Sequence, residues 1–386
     1  MINSRTLKQE DLPLIPTSNP SGTLDGWLLG LCLLFFGIGL LAVATSTFFL
    51  SQHQMGDPWF YIARHGAHVV LAFIAAAITY VLPTRFIQSL SPLILLCVMG
   101  MLILVLVPGV GKSANGAYRW IHILGVNFQV SEAAKLALVL YLASYVQRKQ
   151  VLLQESIKGA VVPLVVMGVL SALILFEPDF GGALIIMVIG TSMLFFAGLP
   201  WRVMALMVVS LGLGMLALAY FTPYRLARLT AFFDPWANPF GDSYQLTQSL
   251  MAIGRGGVWG VGYGFGLQKQ LYLPEAHTDF IYAVLAEEIG LVGMALVITC
   301  CMLLLYRCVY WCYKAIRFDK CYEAMCLYGI VVWWGASMVL SMAVNLGIVP
   351  TKGVALPFFS YGGSNLLVNA CAVGIILRIT KELANK

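Results

Sequence analysis

The chain has 386 residues, of which 60% are hydrophobic and 10% charged, with a formal net charge of +6 at pH 7 and a mean hydropathy of +0.87. A soluble domain carries roughly a quarter charged residues, so this composition excludes an ordinary soluble enzyme. The modest positive charge makes no case for nucleic acid, and the absence of alternating ten-residue strands excludes a membrane β-barrel.

Apolar segments of membrane-spanning length recur along the chain. They predict an all-α polytopic membrane protein with about ten transmembrane helices, at 27–50, 60–82, 90–107, 130–147, 159–176, 180–198, 201–221, 280–305, 323–346 and 360–379. Residues 1–26 are polar and hold Pro13, Pro16 and Pro20, so they read as a flexible cytoplasmic tail with no cleavable signal. Residues 27–380 read as one transmembrane domain and 381–386 as a short cytoplasmic tail.

With both termini in the cytoplasm, 14 of the 23 Lys and Arg fall on the inner side and 8 on the outer, with Lys135 inside a helix. Positive residues favour the inner side, so this orientation is expected. The nine cysteines all lie in spans or on the inner side, and no disulfide is expected. Cys308 and Cys312 lack a nearby His that would complete a zinc set.

Three outer loops collect the polar chemistry. The first, 108–129, reads PGVGKSANGAYRWIHILGVNFQ, and its GKS lacks the leading glycine of a phosphate-binding loop. The second, 222–278, is a large extracytoplasmic loop between helices seven and eight, too apolar for a linker and expected to lie partly on the membrane as amphipathic helix. It includes seven glycines within 254–266, which fit no nucleotide fingerprint and suggest bendable backbone near a substrate or partner. The third, 347–359, holds Lys352 between Pro350 and Gly353.

Ser131, Glu132 and Lys135 open the fourth helix. Ser131 is a candidate N-cap. Glu132 and Lys135 share a helix face, either as an internal ion pair or as a cavity wall for an anionic head group. Glu177 and Asp179 flank Pro178 in a turn, where one of them is a candidate partner for Lys135 or for a metal. The outer cations Arg119, Arg225, Arg228, Arg255, Lys269 and Lys352 suit phosphate or anionic lipid. Glu275, His277 and Asp279 crowd the approach to the eighth helix. An acid there either complements the helix dipole or, at an apolar boundary, serves as a general base. His277 is either a substrate contact or a capping and orienting residue.

The motifs NGAYRWI (115–121), SEAAKLALVLY (131–141), EPDFGGAL (177–184), YQLTQSLMAIGRGG (244–257), YLPEAHTDFIYAVLAEEIGLVG (272–293) and PTKGVALPFFSYGGSNLL (350–367) resemble those of the SEDS family of cell-wall polymerases. The resemblance spans about 27–380. YQLTQS, Gln268–Lys269 and AEEIG are closer to its division branch than to its elongation branch. Departures are small: Val130 stands for a more usual proline, Tyr118 for a basic residue and Asn365 for a serine, and GYGFGLQK differs from the commoner pattern.

The resemblance implies a ten-helix bacterial inner-membrane protein that polymerises lipid II into glycan strands with release of undecaprenyl pyrophosphate during septal cell-wall synthesis. It implies a class B penicillin-binding protein (a division transpeptidase) as partner, beside other divisome membrane proteins and membrane lipids. Asp279 matches the catalytic aspartate, and Arg119, Glu132, Lys135 and Lys352 match the polar cavity. Asp179, His277 and Glu275 complete the candidate substrate-binding set. A divalent cation (Mg²⁺ or Mn²⁺) is a candidate cofactor, with no metal ligands assigned. A lipid II flippase and a non-catalytic scaffold for the transpeptidase are the alternatives.

Overall fold

The computed structural model describes residues 24–385 apart from 110, 115, 116, 124, 125, 156, 157 and 221–231. The expected N-terminal tail therefore lies almost wholly outside the described residues, as do Arg225 and Arg228.

Each of the ten apolar segments forms a helix. They are α1 (Gly26–Met55), α2 (Phe60–Val81), α3 (Thr84–Val105), α4 (Val130–Glu155), α5 (Lys158–Phe176), α6 (Phe180–Phe196) and α7 (Trp201–Tyr220), with α8 (Tyr244–Gly256) preceding α9 (Ile281–Arg317), α10 (Cys321–Asn345) and α11 (Gly363–Ala384). Six of them, α1, α2, α3, α5, α9 and α10, are long and apolar enough to cross a membrane by length and composition, and α6 is a shorter apolar helix. Within α7, Trp201–Gly214 is likewise a shorter apolar helix, whereas α4 and α11 carry polar residues that face the protein interior: Ser131, Glu132, Lys135, Asn365 and Asn369 are all buried.

The all-α expectation needs one correction. Residues 111–129 form an antiparallel sheet of β1 (Gly111–Ala114), β2 (Ala117–Ile123) and β3 (Val126–Gln129), in that spatial order. AYRWIHI is rich in aromatic and β-branched residues, which suit a pleated surface. Trp120 pairs with Gln129 and Ile121 with Phe128. The sheet runs directly into α4 at Val130, so it fixes where that helix begins.

Lipid is as apolar as leucine, so helix association rests on close packing and interhelical hydrogen bonds. Helix α2 shows both. Its Thr79 hydroxyl donates to the Cys371 carbonyl at 3.1 Å, and Gly374 of α11 lies so close that a Cβ there would meet the Ala76 carbonyl at 2.2 Å. Val70, Leu71, Ile74, Ile78 and Val81 stay exposed, a stripe at helical spacing that suits lipid. Inside the bundle, Trp333, Trp334, Phe35, Phe358 and Phe359 are fully buried. Trp334 Nε1 donates to Asn369 Oδ1 at 2.7 Å, joining α10 to α11.

Helix α9 is broken at Gly290, where φ is 65° and ψ −171°. The glycine-rich segment fills the break. Leu291 and Val292 donate their N–H groups to the carbonyls of Gly257 and Val258, while Val261 and Gly262 donate to those of Glu287 and Glu288. Backbone meets backbone here: a Cβ on Gly260 would lie 2.2 Å from the Glu288 carbonyl oxygen, and one on Gly290 would lie 2.2 Å from the Gly260 nitrogen. Gly260 and Gly290 thus serve close approach within the protein, whereas a Cβ on Gly254, Gly257 or Gly264 would meet nothing within 4 Å.

The long segment before α9 also differs from expectation. Its helix α8 is amphipathic, yet Leu246, Thr247, Gln248, Ser249 and Ala252 are buried. Ala252 packs with Leu273, Ala276, Phe280, Ala283, Val284 and Val344. The inner face of α8 thus rests on α9 and α10.

Candidate active site

Asp279 lies two residues before the first residue of α9, in a turn rather than in the helix. Glu275 starts the turn with φ 55°, and its carbonyl accepts the N–H groups of Thr278 and Phe280. Its carboxylate accepts from the Thr278 hydroxyl at 2.7 Å. Glu275 therefore organises the turn.

Three consecutive carbonyls of that turn are held from outside it. The His277 carbonyl accepts from the Tyr361 N–H at 2.8 Å. The Thr278 carbonyl accepts from the Ser360 hydroxyl at 2.7 Å. The Asp279 carbonyl accepts from Asn345 Nδ2 at 2.9 Å. Asn345 is fully buried, and its Oδ1 accepts from the Ala283 N–H at 3.1 Å in the first turn of α9. The backbone of Asp279 is thus fixed by α10 and by the segment before α11, while the residue stays partly exposed. His277 does not cap α9. Its ring lies 5.5 Å from that of Tyr361, and burial holds its imidazole below the usual range against the opposing pull of Glu275.

The EPD turn and the PTKG loop meet at Asp279. A Cβ on Gly353 would lie 2.7 Å from Asp279 Oδ2. A Cβ on Gly181 would lie 3.2 Å from the Gly353 carbonyl oxygen and 3.8 Å from Asp179 Oδ1. Only residues without side chains allow the three segments to come so near. Lys352 Nζ sits 5.3 Å above the Phe180 ring, a cation–π distance. Arg119 of β2 reaches the same turn, donating through Nε to the Glu177 carbonyl at 2.9 Å and through Nη2 to the Pro178 carbonyl at 2.6 Å.

The two acids of the turn have different surroundings. Asp179 is the N-cap of α6: Oδ1 accepts from the Gly182 N–H at 2.9 Å and Oδ2 from the Ser131 hydroxyl at 3.0 Å. Ser131 lies inside α4 and braces Asp179, which corrects its expected role as the cap of its own helix. Glu177 is fully buried and neither carboxylate oxygen has a hydrogen-bond partner among the described residues. Burial, with Asp179 adding to it and Arg119 opposing, pushes the Glu177 carboxyl up to about 8.

Lys135 pairs with Glu132 at 2.6 Å, both buried, and not with either acid of the turn. Glu132 Oε2 also accepts from Asn365 Nδ2 at 3.1 Å, so a residue of α11 contacts a candidate site residue. Both Glu132 oxygens are engaged, which favours the ion-pair reading. The buried Lys269 pairs with Glu288, which engages it inside the protein, whereas Arg255 pairs with Glu287 at 2.7 Å through Nη1 and stays part-exposed. The residues missed by sequence reasoning are Asn345, Ser360 and Tyr361. Their only local signal is a polar group beside apolar sequence.

A family model described as "Cell cycle protein", covering FtsW, RodA and SpoVE, matches residues 26–385. The probable peptidoglycan glycosyltransferase FtsW of Coxiella burnetii is 43% identical over 369 residues, 95% of this chain and 99% of that protein. That of Legionella pneumophila is 40% identical over 370 residues, 95% and 93% of the two chains. Among solved structures, a chain from work on coordinated polymerization and crosslinking by a peptidoglycan synthase complex is similar at TM-score 0.76 and 26% identity, over 94% of this chain and 98% of that one. The rod shape determining protein RodA of Thermus thermophilus is similar at TM-score 0.67 and 26% identity, over 93% and 97%. With motifs, bundle and relatives in agreement over nearly its whole length, the chain belongs to the FtsW/RodA/SpoVE family, the SEDS proteins that its motifs resemble.

Proposed function

We propose that this chain is a peptidoglycan glycosyltransferase that polymerises lipid II during septal wall synthesis, with Asp279 as its general base. The observation that carries the assignment of the base is the turn itself: a partly exposed aspartate on a backbone fixed by Tyr361, Ser360 and Asn345. A catalytic group acts through its position, so a fixed main chain beneath a reachable side chain suits a base.

In this reading the acceptor is the 4-hydroxyl of a GlcNAc unit. Its oxygen attacks the anomeric carbon of the growing chain's MurNAc and its proton passes to Asp279. The bond from that carbon to the pyrophosphate oxygen breaks, and undecaprenyl pyrophosphate leaves with the electron pair. The α-linked donor becomes a β-linked product in one inverting displacement. The leaving group is already acidic, so it needs charge stabilisation and no second acid. Lys352 and the outer N–H groups of Arg119 are the nearest cations to supply it.

Glu132 and Lys135 hold α4 against α11 behind the site, and Asp179 holds the EPD turn. Among the described residues no three His, Cys, Asp or Glu side chains cluster as a metal cage. A divalent cation would therefore arrive with the pyrophosphate, meet one or two carboxylates such as Asp279, and neutralise charge on the leaving group.

The ten helices that match apolar segments cross the bacterial inner membrane, with both termini cytoplasmic and the sheet and the 222–278 segment outside. The partner is a class B penicillin-binding protein within the divisome, at the division septum. The test is glycan-strand synthesis from lipid II by purified protein with its transpeptidase, wild type beside Asp279→Ala. Polymer from the wild type alone is expected. Polymer from both would remove Asp279 as base. Polymer from neither, with the complex intact, would point to a flippase or a scaffold.

A further inference from the structure

At the end of the bundle where α1 starts and α9 and α11 finish, a cavity of about 540 Å³ is lined by Asp25, Trp27, Gly30, Leu34, Arg307 and Lys314 among others. Among the described residues Asp25 is the only acid in that lining, and it is fully engaged. Oδ1 accepts from the N–H groups of Trp27 and Leu28 at 3.1 and 3.2 Å, capping α1. Oδ2 accepts from Arg307 Nε at 2.7 Å and from the Trp311 indole. Four donors fill the lone-pair positions of the carboxylate.

The cations are not filled in the same way. Arg307 uses only Nε, so both terminal amino groups of its guanidinium have no acceptor among the described residues. Lys314 has no acceptor there either, and its ammonium stands 4.6 Å over the Trp311 ring. Two cations thus offer unused donors to one cavity against one neutralised acid.

The wall below them is apolar and open. Leu34 is exposed, as is Trp27. Gly30 leaves a notch, since a Cβ there would meet nothing within 4 Å. Donors above and an open apolar groove below match a phosphate joined to acyl chains. Arg and Lys at the end of a spanning helix are a physical basis for recognising anionic head groups.

We propose that this cavity binds an anionic phospholipid, its phosphate on Arg307 and Lys314 and an acyl chain along Gly30 and Leu34. The site is built at the opposite end of α9 from Asp279 and does not depend on the role of that residue.

Native mass spectrometry of the full chain in detergent tests it. Dioleoyl phosphatidylglycerol should be retained about fivefold more than dioleoyl phosphatidylcholine, because no choline offsets its phosphate charge and a basic residue beside an anionic head group contributes about that factor. Lys314→Ala should bring the two lipids level. Gly30→Leu should weaken retention of phosphatidylglycerol with Tm unchanged, because it fills the notch without touching protein. Arg317→Ala removes an equal charge outside the cavity lining and should leave the preference intact. Equal retention of both lipids by the wild type would overturn the site, as would an equal loss in Arg317→Ala. Displacement of the lipid by millimolar inorganic phosphate would overturn the lipid assignment in favour of a soluble anion.

Discussion

Two acidic clusters lie at the two ends of one stretch of chain, Glu275–Asp279 and Glu287–Glu288, and they are used in opposite ways. Glu287 is fully buried, and its carboxylate accepts from Arg255 and from the N–H groups of Leu267 and Gln268. Glu288 beside it takes Lys269. Both acids staple the glycine-rich segment to the break in α9. At Asp279 the order is reversed, because the protein grips the main chain and leaves the residue partly exposed. Glu287 takes its donors on the carboxylate and holds structure, whereas the turn of Asp279 is held through its main-chain carbonyls, which sets the position of the side chain.

The largest effect expected from this contrast is at Asp279. Asp279→Asn keeps shape and removes the basic oxygen, so polymerisation should fall by about 10²–10⁴-fold, the usual contribution of a positioned base. Lipid II affinity should change little. A variant polymerising at the wild-type rate would break the contrast at its functional end.

Asn345 sharpens it. Asn345→Leu removes the donor to the Asp279 carbonyl and the acceptor for Ala283. A carboxylate displaced by about 1 Å costs up to roughly 10²-fold in rate, so kcat should fall well below wild type while KM holds. A rise in KM at constant kcat would show that Asn345 shapes substrate binding instead.

Glu287 should act on stability. Glu287→Ala leaves the N–H groups of Leu267 and Gln268 and the part-exposed Arg255 without their acceptor, and a buried donor left unsatisfied costs about 1–3 kcal/mol. Tm should drop accordingly, and any activity loss should follow the loss of folded protein. A folded, inactive Glu287→Ala would erase the distinction between the clusters.

The effect at Glu177 is read against pH. Its carboxyl, raised to about 8, favours the neutral form in the folded state. The sign follows from linkage: the stabilisation is full below the ordinary carboxylate range and is lost as pH rises through about 8. Melting curves from pH 5 to 9 should therefore show the wild type losing stability relative to Glu177→Gln as pH increases. Parallel curves would mean that Glu177 is ionised in the fold throughout that range.

The bundle was legible because a membrane span is written locally, in about twenty consecutive apolar residues. The Asp279 turn was legible for the same reason, with three titratable residues in five positions. The sheet was readable in principle, since Asn115–Gly116 between two short runs is a strong hairpin signal, yet the runs are brief beside the helices. Asn345 and Ser360 were not legible as supports of the site. They lie 66 and 82 residues from the carbonyls they hold, and nothing local distinguishes them from other buried polar residues. The break at Gly290 was hidden too, because a glycine in an apolar run reads equally well as continuous helix. Glu287 and Arg255 are 32 residues apart, so their pairing appears only when the glycine-rich segment folds back onto α9.

The most direct test puts Asp279→Asn and Glu287→Gln side by side, scoring glycan-strand synthesis from lipid II per folded molecule together with Tm. The account predicts wild-type Tm with polymer synthesis lowered by about 10²–10⁴-fold for Asp279→Asn, and a lowered Tm with polymer per folded molecule retained for Glu287→Gln. Polymer from Asp279→Asn at the wild-type rate, or loss of polymer from fully folded Glu287→Gln, would contradict it.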